Sequence, residues 1–268
     1  MLLTLYSMLG HRNWLNHTSI YIKWNRHNGI DIKMELIKPK LRFDISGYYF
    51  IGMIVLVILG FWPSYFAKFF NGTADFTFYF HFHAIILTLW LFLLILQPIL
   101  IRKKKFSIHR SFGKLSYFLF PLIFLSVILL AHSRHEIDEK NLDIRLLVPF
   151  KDLIILGTAY FIAIRYRHNI DLHARGMIMT GIAFIEPSLV RFIRYAIVPS
   201  PIANYLTLFI IYSLLIGLII KERNQKRGRW VFPLMLCLYV ILHSIILFKI
   251  HLGPWELFSK WFINLPLT

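Results

Sequence analysis

Residues 78–132 read FYFHFHAIILTLWLFLLILQPILIRKKKFSIHRSFGKLSYFLFPLIFLSVILLAH. Two long apolar runs, 78–101 and 112–132, flank a short connection that contains the basic string RKKK. A helix needs about 20 apolar residues to cross the hydrocarbon layer of a membrane, and both runs reach that length. This pattern predicts two transmembrane helices joined by a positively charged turn.

The same pattern recurs along the chain. Seven runs are predicted as transmembrane helices: 47–68, 78–101, 112–132, 146–165, 177–197, 204–220 and 230–249. Helices are expected because every backbone polar group must be satisfied within the segment, and the runs lack the alternation of barrel strands. We therefore predict an all-α polytopic membrane bundle of seven helices, with the lipid bilayer as a partner.

Composition excludes several classes of protein. Hydrophobic residues make up 57% of the chain and charged residues 16%, whereas a soluble domain is about 25% charged. This argues against a cytosolic enzyme, a secreted domain or a disordered binder. The net charge of +17 is typical of nucleic-acid binding, but the charges lie in short gaps between apolar runs, so no nucleic-acid partner is expected. The single cysteine, Cys237, excludes an internal disulfide, and we expect it to be a small core residue.

Basic residues predict the orientation. The segment before the first run and the connections after the second, fourth and sixth runs hold 21 of the 30 Lys and Arg residues. Because basic loops stay in the cytoplasm, we place the N-terminus inside and the C-terminus outside.

Residues 1–33 fit this organisation poorly. Met34 opens the stretch MELIKPKLRFDISGYYF, which resembles a natural start before the first span. We interpret 1–33 as a disordered arm or an over-extended start, and 34–268 as one seven-helix transmembrane domain.

Ionisable side chains within predicted spans are the candidate site, because charges at membrane depth are costly and are usually functional. They come from several helices, and all fall in the outer half of the bundle, whereas the inner half offers only Gln97, Ser116 and Tyr117 near its edge. The candidate ligand-binding residues are His83, Lys151, Asp152, Glu186, Arg191, Arg194 and His243. We expect them to pair across a wet cavity, with Glu186–Arg191 and Asp152–arginine as candidate pairs.

Lys151 and Asp152 point about 100° apart on a helix and are expected to have different partners. Pro187 is expected to disturb the helix beside Glu186.

Metal binding is a weaker hypothesis, and the cofactor is unknown. Imidazole and carboxylate groups suit zinc or iron. The candidate metal ligands are His81, His83, His132 and His243. His81 and His83 are two residues apart and face nearly opposite sides of a helix. A haem would need facing histidines, such as His83 with His243 or His132.

Two stretches carry a resemblance. The motifs H-x-H, T-x-W, Gln and H-R-x-x-G-K within 81–126, and the string DLHARGMIMTGIAFIEPSLVRF at 171–192, resemble an uncharacterised family of bacterial multi-pass membrane proteins of unknown function. The matching positions are His81, His83, Thr88, Trp90, Gln97, His109, Arg110, Gly113, His173, Arg175, Glu186, Pro187 and Arg191. The resemblance implies a bacterial inner-membrane protein and supplies no reaction.

Three functions remain open at this point. The first is binding or transport of a small polar or anionic ligand or an ion, with Lys151, Arg191 and Arg194 as anion contacts. The second is a membrane-embedded enzyme that uses a metal or a haem. The third is a structural or assembly subunit, in which the polar layer serves packing alone.

Overall fold

A computed structural model describes residues 46–225 and 227–268, together with two short strands nearer the N-terminus. The chain divides into two units, Met1–Arg42 and Phe43–Thr268. In the first unit, β1 (Tyr21–Ile22) pairs antiparallel with β2 (Leu36–Ile37). The prediction for residues 1–33 lies, apart from β1, outside the described residues.

The regular secondary structure described in the second unit is entirely helical, which confirms the predicted all-α class. Its helices are α1 (Ser46–Phe61), α2 (Ala67–Phe70), α3 (Phe78–Arg102), α4 (Phe106–Gly113), α5 (Leu115–His132), α6 (Leu142–Arg165), α7 (Ile170–Ile182), α8 (Ile185–Ala196), α9 (Ile202–Glu222), α10 (Val231–Leu247) and α11 (Gly253–Ile263). A π-helical turn, Trp62–Phe66, joins α1 to α2.

Six helical stretches of the described chain are long and apolar enough to cross a membrane. They are Ser46–Phe70, Phe78–Arg102, Phe106–His132, Leu142–Arg165, Ile170–Ala196 and Ile202–Glu222. These stretches overlap the first six predicted runs, and the third and fifth begin six and seven residues earlier than predicted. The seventh run corresponds to α10, which has 17 residues and a length of about 25 Å, somewhat less than the roughly 30 Å of a hydrocarbon core. The chain is thus a multi-pass membrane protein by the length and composition of its helices.

Apolar side chains cover the outside of the helices. Phe118, Phe161 and Phe209 are each about two-thirds exposed, whereas Lys151 is only 1% exposed. A soluble protein would bury the phenylalanines and expose the lysine, so this distribution is the one expected of a protein surrounded by lipid. Cys237 is exposed as well. The expectation of a core cysteine is therefore wrong, because Cys237 lies two residues from the buried Tyr239 and faces the opposite side of α10.

The fifth membrane stretch lies in the middle of the bundle and is broken. Its first half, α7, packs on α6, α10 and α3, and its second half, α8, packs on α1 and α9. The helix stops after Ile182 and restarts at Ile185. Pro187 has no backbone N–H to donate to the preceding turn, which explains the break and agrees with the expected disturbance. The restart places Glu186 in the first turn of α8.

Close helix packing holds this central stretch in place. A Cβ on Gly176 of α7 would lie 2.6 Å from the backbone nitrogen of Ala163 on α6. A Cβ on Gly60 of α1 would overlap the backbone of Ser188 on α8. Small residues allow backbones to approach closely in membrane bundles. The helices that carry the candidate residues are therefore fixed by backbone contact.

Candidate functional site

Glu186 is the meeting point of three helices. Its Oε1 accepts a hydrogen bond from Nζ of Lys151 on α6 at 2.8 Å. Nε2 of His243 on α10 lies 3.1 Å from Oε1 and 3.2 Å from Oε2. Lys151 Nζ also donates to Oδ1 of Asp152 at 2.6 Å. Four of the predicted site residues thus form one hydrogen-bonded group.

Burial explains why Lys151 uses both carboxylates. Its side chain is 2% exposed, and an ammonium group at that depth is very costly unless it is paired and hydrogen-bonded. The expectation that Lys151 and Asp152 need different partners is wrong, because the four-carbon lysine stem bends back far enough to reach its neighbour. The suggested pairing of Glu186 with Arg191 is wrong, since Lys151 and His243 occupy that carboxylate. Asp152 lies within electrostatic range of an arginine, Arg191, as suggested, but its hydrogen bond comes from Lys151.

His243 extends the group to a fourth helix. The hydroxyl of Tyr212 on α9 lies 2.9 Å from Nδ1 of His243. A carboxylate only accepts, so the hydrogen-bond network assigns the imidazole proton to Nε2, which donates to Glu186. In the tautomer with its proton on Nε2, Nδ1 accepts from the Tyr212 hydroxyl. The result is a chain of hydrogen bonds from Asp152 through Lys151, Glu186 and His243 to Tyr212.

A second tyrosine lies beside this chain. Tyr239 is fully buried one helical turn before His243, and the two ring centroids are 5.4 Å apart. Within the described chain, the Tyr239 hydroxyl has no hydrogen-bond partner. We call Lys151, Asp152, Glu186, Tyr212, Tyr239 and His243 the Glu186 cluster. The cluster joins one ammonium, two carboxylates and one imidazole, and the Arg191 guanidinium lies within electrostatic range of Asp152.

The sequence did not identify either tyrosine. A tyrosine inside an apolar run looks like any other aromatic core residue, and nothing in its spacing predicts a contact with a histidine on another helix. Only the buried histidine itself offers a signal, because a ring nitrogen at membrane depth needs a partner.

The other predicted residues lie around the cluster or apart from it. Arg191 donates from Nη1 to the carbonyl oxygen of Pro187 at 2.6 Å, and its guanidinium lies 4.5 Å from the Phe61 ring centroid. It is close enough to Asp152 and to His83 for their charges to interact. Arg194 instead donates to Oδ1 of Asn204 at 3.3 Å.

The candidate metal ligands do not come together. His81 Nδ1 lies 2.9 Å from the Tyr65 hydroxyl, and His132 Nδ1 lies 2.6 Å from Oγ1 of Thr268. His83 bonds to a serine and His243 to Glu186. Across 46–225 and 227–268, no group of three or more His, Cys, Asp or Glu side chains is arranged to hold a metal ion.

One half of the bundle is more polar than predicted. It is the half that lies beside the connections after the second, fourth and sixth spans. Arg175 Nε donates to Oε2 of Glu222 at 2.6 Å, and both side chains are almost completely buried. The expectation that this half holds little comparable is wrong. Both charges lie near the ends of their helices, where sequence alone places them in headgroups or water, and only the packing of the bundle buries them.

Comparison of the chain with protein-family models, with curated protein sequences and with solved structures finds no match in any of the three.

Proposed function

We propose that this chain is a seven-span integral membrane protein whose Glu186 cluster binds a small monovalent cation, the proton included. The proposal places it in a bacterial inner membrane, in the uncharacterised family whose motifs it resembles, with a cytoplasmic N-terminus and an external C-terminus. In that orientation the cluster lies in the outer half of the bundle.

The seventh span is supported by the position of α10. Its His243 contacts Glu186 in the central stretch, and the helix packs on α6, α7 and α9. A helix that supplies a buried group to the middle of the bundle and packs along three membrane helices supports a seventh crossing of the hydrocarbon layer. Seven spans then place the two termini on opposite sides, as the basic connections predict.

The observation that carries the proposal is the shared carboxylate of Glu186. Lys151 and His243 both donate to it, and Lys151 is already engaged by Asp152. An anion would have to displace a carboxylate from Lys151, so an anion contact at that residue is unfavourable. A cation meets two carboxylates that share a single ammonium.

Lys151 itself is a tethered monovalent cation. Its ammonium lies 2.6 Å from one carboxylate oxygen and 2.8 Å from the other. If Lys151 gives up its proton, a free cation that takes this position keeps the local charge unchanged. Binding of the cation and release of a proton are then two sides of one exchange.

Thermal unfolding of the purified protein in detergent tests the proposal. The probes are the chlorides of lithium, sodium, potassium and N-methyl-D-glucamine at equal ionic strength, each at several pH values. A bound cation stabilises the folded protein by RT ln(1 + [L]/Kd), about 1.4 kcal/mol at ten times Kd. Asp152→Asn should abolish the response, whereas Glu256→Gln, at an exposed pair on α11, should retain it.

Each outcome decides between the open functions. Stabilisation by one of the small cations, with release of protons into a weak buffer, supports the exchange. A response to pH alone identifies the proton as the ion. If wild type and Asp152→Asn respond identically to cations and to pH, the cluster only locks helices together and the proposal fails.

A further inference from the structure

One face of the bundle is strongly basic. It is formed by three stretches at helix ends: 102–114, 165–175 and 221–229. A hydrogen bond from Arg167 to Tyr117, just after the first stretch, ties the second stretch to α5. The bond from Arg175 to Glu222 ties the second stretch to the third. Together the three contain 14 Lys and Arg residues and only two acidic residues. We call this surface the basic face, and its charge favours an anionic ligand.

Arg167 lies on the basic face at the seam where α5 and α6 meet. Its Nη1 donates to the Tyr117 hydroxyl at 3.2 Å, and its Nε donates to Nε2 of His168 at 3.3 Å. Among the described residues, Nη2 of Arg167 has no acceptor, and no carboxylate pairs with this guanidinium. The bond to Tyr117 therefore holds in place a guanidinium whose remaining N–H groups are free to bind an anion from outside the protein.

Two more cations flank the same end of the seam. Lys114 caps the start of α5 three residues before Tyr117, which places both on the same side of that helix. Arg165 is the last residue of α6. Both cations are exposed, and no described carboxylate forms an ion pair with either of them. The end of the seam thus carries three cations that lack a carboxylate partner in the described chain.

Toward the middle of the bundle the seam presents apolar surface. Phe120 on α5 and Tyr160 on α6 stack with their ring centroids 3.9 Å apart, which closes the seam between the two helices. Phe161 is two-thirds exposed and lies four residues after Gly157, which faces Phe124 on α5. Its ring therefore lies beside the seam on the outside of the bundle, where it can contact an acyl chain.

We propose that this end of the α5–α6 seam binds an anionic phospholipid, with its phosphodiester on Arg167, Arg165 and Lys114 and an acyl chain against Phe161. A guanidinium presents a planar fork of donors that matches two phosphate oxygens. A zwitterionic headgroup would also bring an ammonium group, for which these three cations offer no carboxylate, so a lipid with a net negative charge is favoured. The Glu186 cluster takes no part in this site.

Membrane topology accounts for the number of basic residues on this face but not for the position of Arg167. The topology rule depends on where Lys and Arg residues occur in the connections, and any exposed basic side chain satisfies it. A hydrogen bond that fixes one guanidinium across two helices is not required for topology. Basic sites between membrane helices are instead typical of headgroup binding.

Native mass spectrometry of the full-length protein in detergent tests the site. The probes are dioleoyl phosphatidylglycerol, dioleoyl phosphatidylcholine and inorganic phosphate. We expect one molecule of phosphatidylglycerol to bind at least tenfold more tightly than phosphatidylcholine. Arg167→Gln should lower the affinity for phosphatidylglycerol about tenfold, because it removes a charged hydrogen-bond donor. Arg167→Lys keeps the charge but loses the fork, and its affinity should lie between those of wild type and Arg167→Gln.

Two matched variants separate position from charge. Tyr117→Phe keeps every charge but removes the acceptor that orients Arg167, and it should weaken binding about threefold. Arg223→Gln removes an exposed charge from the same face at the end of α9, a helix that packs on α8 and α10. It should leave the affinity unchanged. Because the substituted side chains lie on the surface, all these variants should melt within a degree or two of wild type without added lipid.

Three outcomes would overturn the proposal. The first is equal binding of the two lipids. The second is an Arg223→Gln variant that loses as much affinity as Arg167→Gln, since binding would then follow total charge and not the seam. The third is displacement of phosphatidylglycerol by millimolar inorganic phosphate, which would identify a site for a free anion without a role for the acyl chain.

Discussion

Replacing Lys151 with Met leaves the two carboxylates of the Glu186 cluster without their shared cation. Lys151 is 1% exposed and donates to both Asp152 and Glu186. The methionine side chain fills nearly the same volume, so the loss is electrostatic and not a cavity. Two like charges then remain in a largely apolar bundle, with His243 hydrogen-bonded to Glu186 and the Arg191 guanidinium within electrostatic range of Asp152.

The magnitude follows from the burial of the pair. Removing one partner of a buried ion pair costs about 3–5 kcal/mol, because the other charge stays unpaired. The Asp152 side chain is 32% exposed and the Glu186 side chain 16%, so partial hydration favours the lower end, about 3 kcal/mol. In a chain of this size a loss of 3 kcal/mol corresponds to a drop in melting temperature of roughly 6–12 °C.

Thermal unfolding in detergent measures the effect. Lys260→Met is the matched control, because Lys260 also pairs with a carboxylate, Glu256, at 2.9 Å but on an exposed helix face. It should leave the melting temperature unchanged. The double variant Lys151→Met/Glu186→Gln should recover part of the stability, since it removes one of the two unpaired charges. If Lys151→Met melts within a degree or two of wild type, the cluster is hydrated and the buried ion pair described above is wrong.

Three further predictions concern packing, hydrogen bonding and lipid exposure. Gly176→Ala should destabilise the protein by about 1–3 kcal/mol through overlap with α6, whereas Gly217→Ala, with open space around it, should be neutral or stabilising; equal melting temperatures would contradict the close packing. Tyr212→Phe leaves a buried ring nitrogen without its donor and should cost about 1–3 kcal/mol, while Tyr205→Phe, exposed on the same helix, should have no effect in the same melting assay. Cys237 is exposed on an apolar helix and should react in intact membranes with a membrane-permeant maleimide and not with a charged one. Mass spectrometry measures the labelling, and rapid reaction with the charged reagent would place Cys237 in water.

Much of the fold could be predicted from hydropathy, because a membrane forces each apolar run of sufficient length into a helix. The runs 78–101 and 204–220 correspond closely to Phe78–Arg102 and Ile202–Glu222. The boundary at 112 was less accurate, since the sequence places the basic residues before it in a connection, whereas Phe106–Gly113 is already helical. The positive charges of lysines at the depth of the lipid headgroups do not prevent a helix from beginning beside them.

The charged members of the candidate site and His243 were also accessible to sequence reasoning, but their pairing and the two tyrosines were not. An ionisable residue within an apolar run is easily recognised, and burial requires that it find a partner. Which partner it finds depends on how each helix is rotated about its axis. Hydropathy hardly restricts that rotation in a run such as 230–249, which is apolar on nearly every side.

Local sequence rules failed for the same reason at Lys151. An angle of about 100° between adjacent helical residues describes the directions of their Cβ atoms, and the lysine stem continues for several bonds beyond that. In water the ammonium would gain little by bending back toward Asp152, since an exposed pair contributes about 0–1 kcal/mol. At 2% exposure of the Lys151 side chain each uncompensated charge costs several kcal/mol, which exceeds the side-chain entropy of about 2 kcal/mol that the lysine gives up. Burial therefore decides the geometry, and burial is a property of the assembled bundle that neither residue carries in its own stretch of sequence.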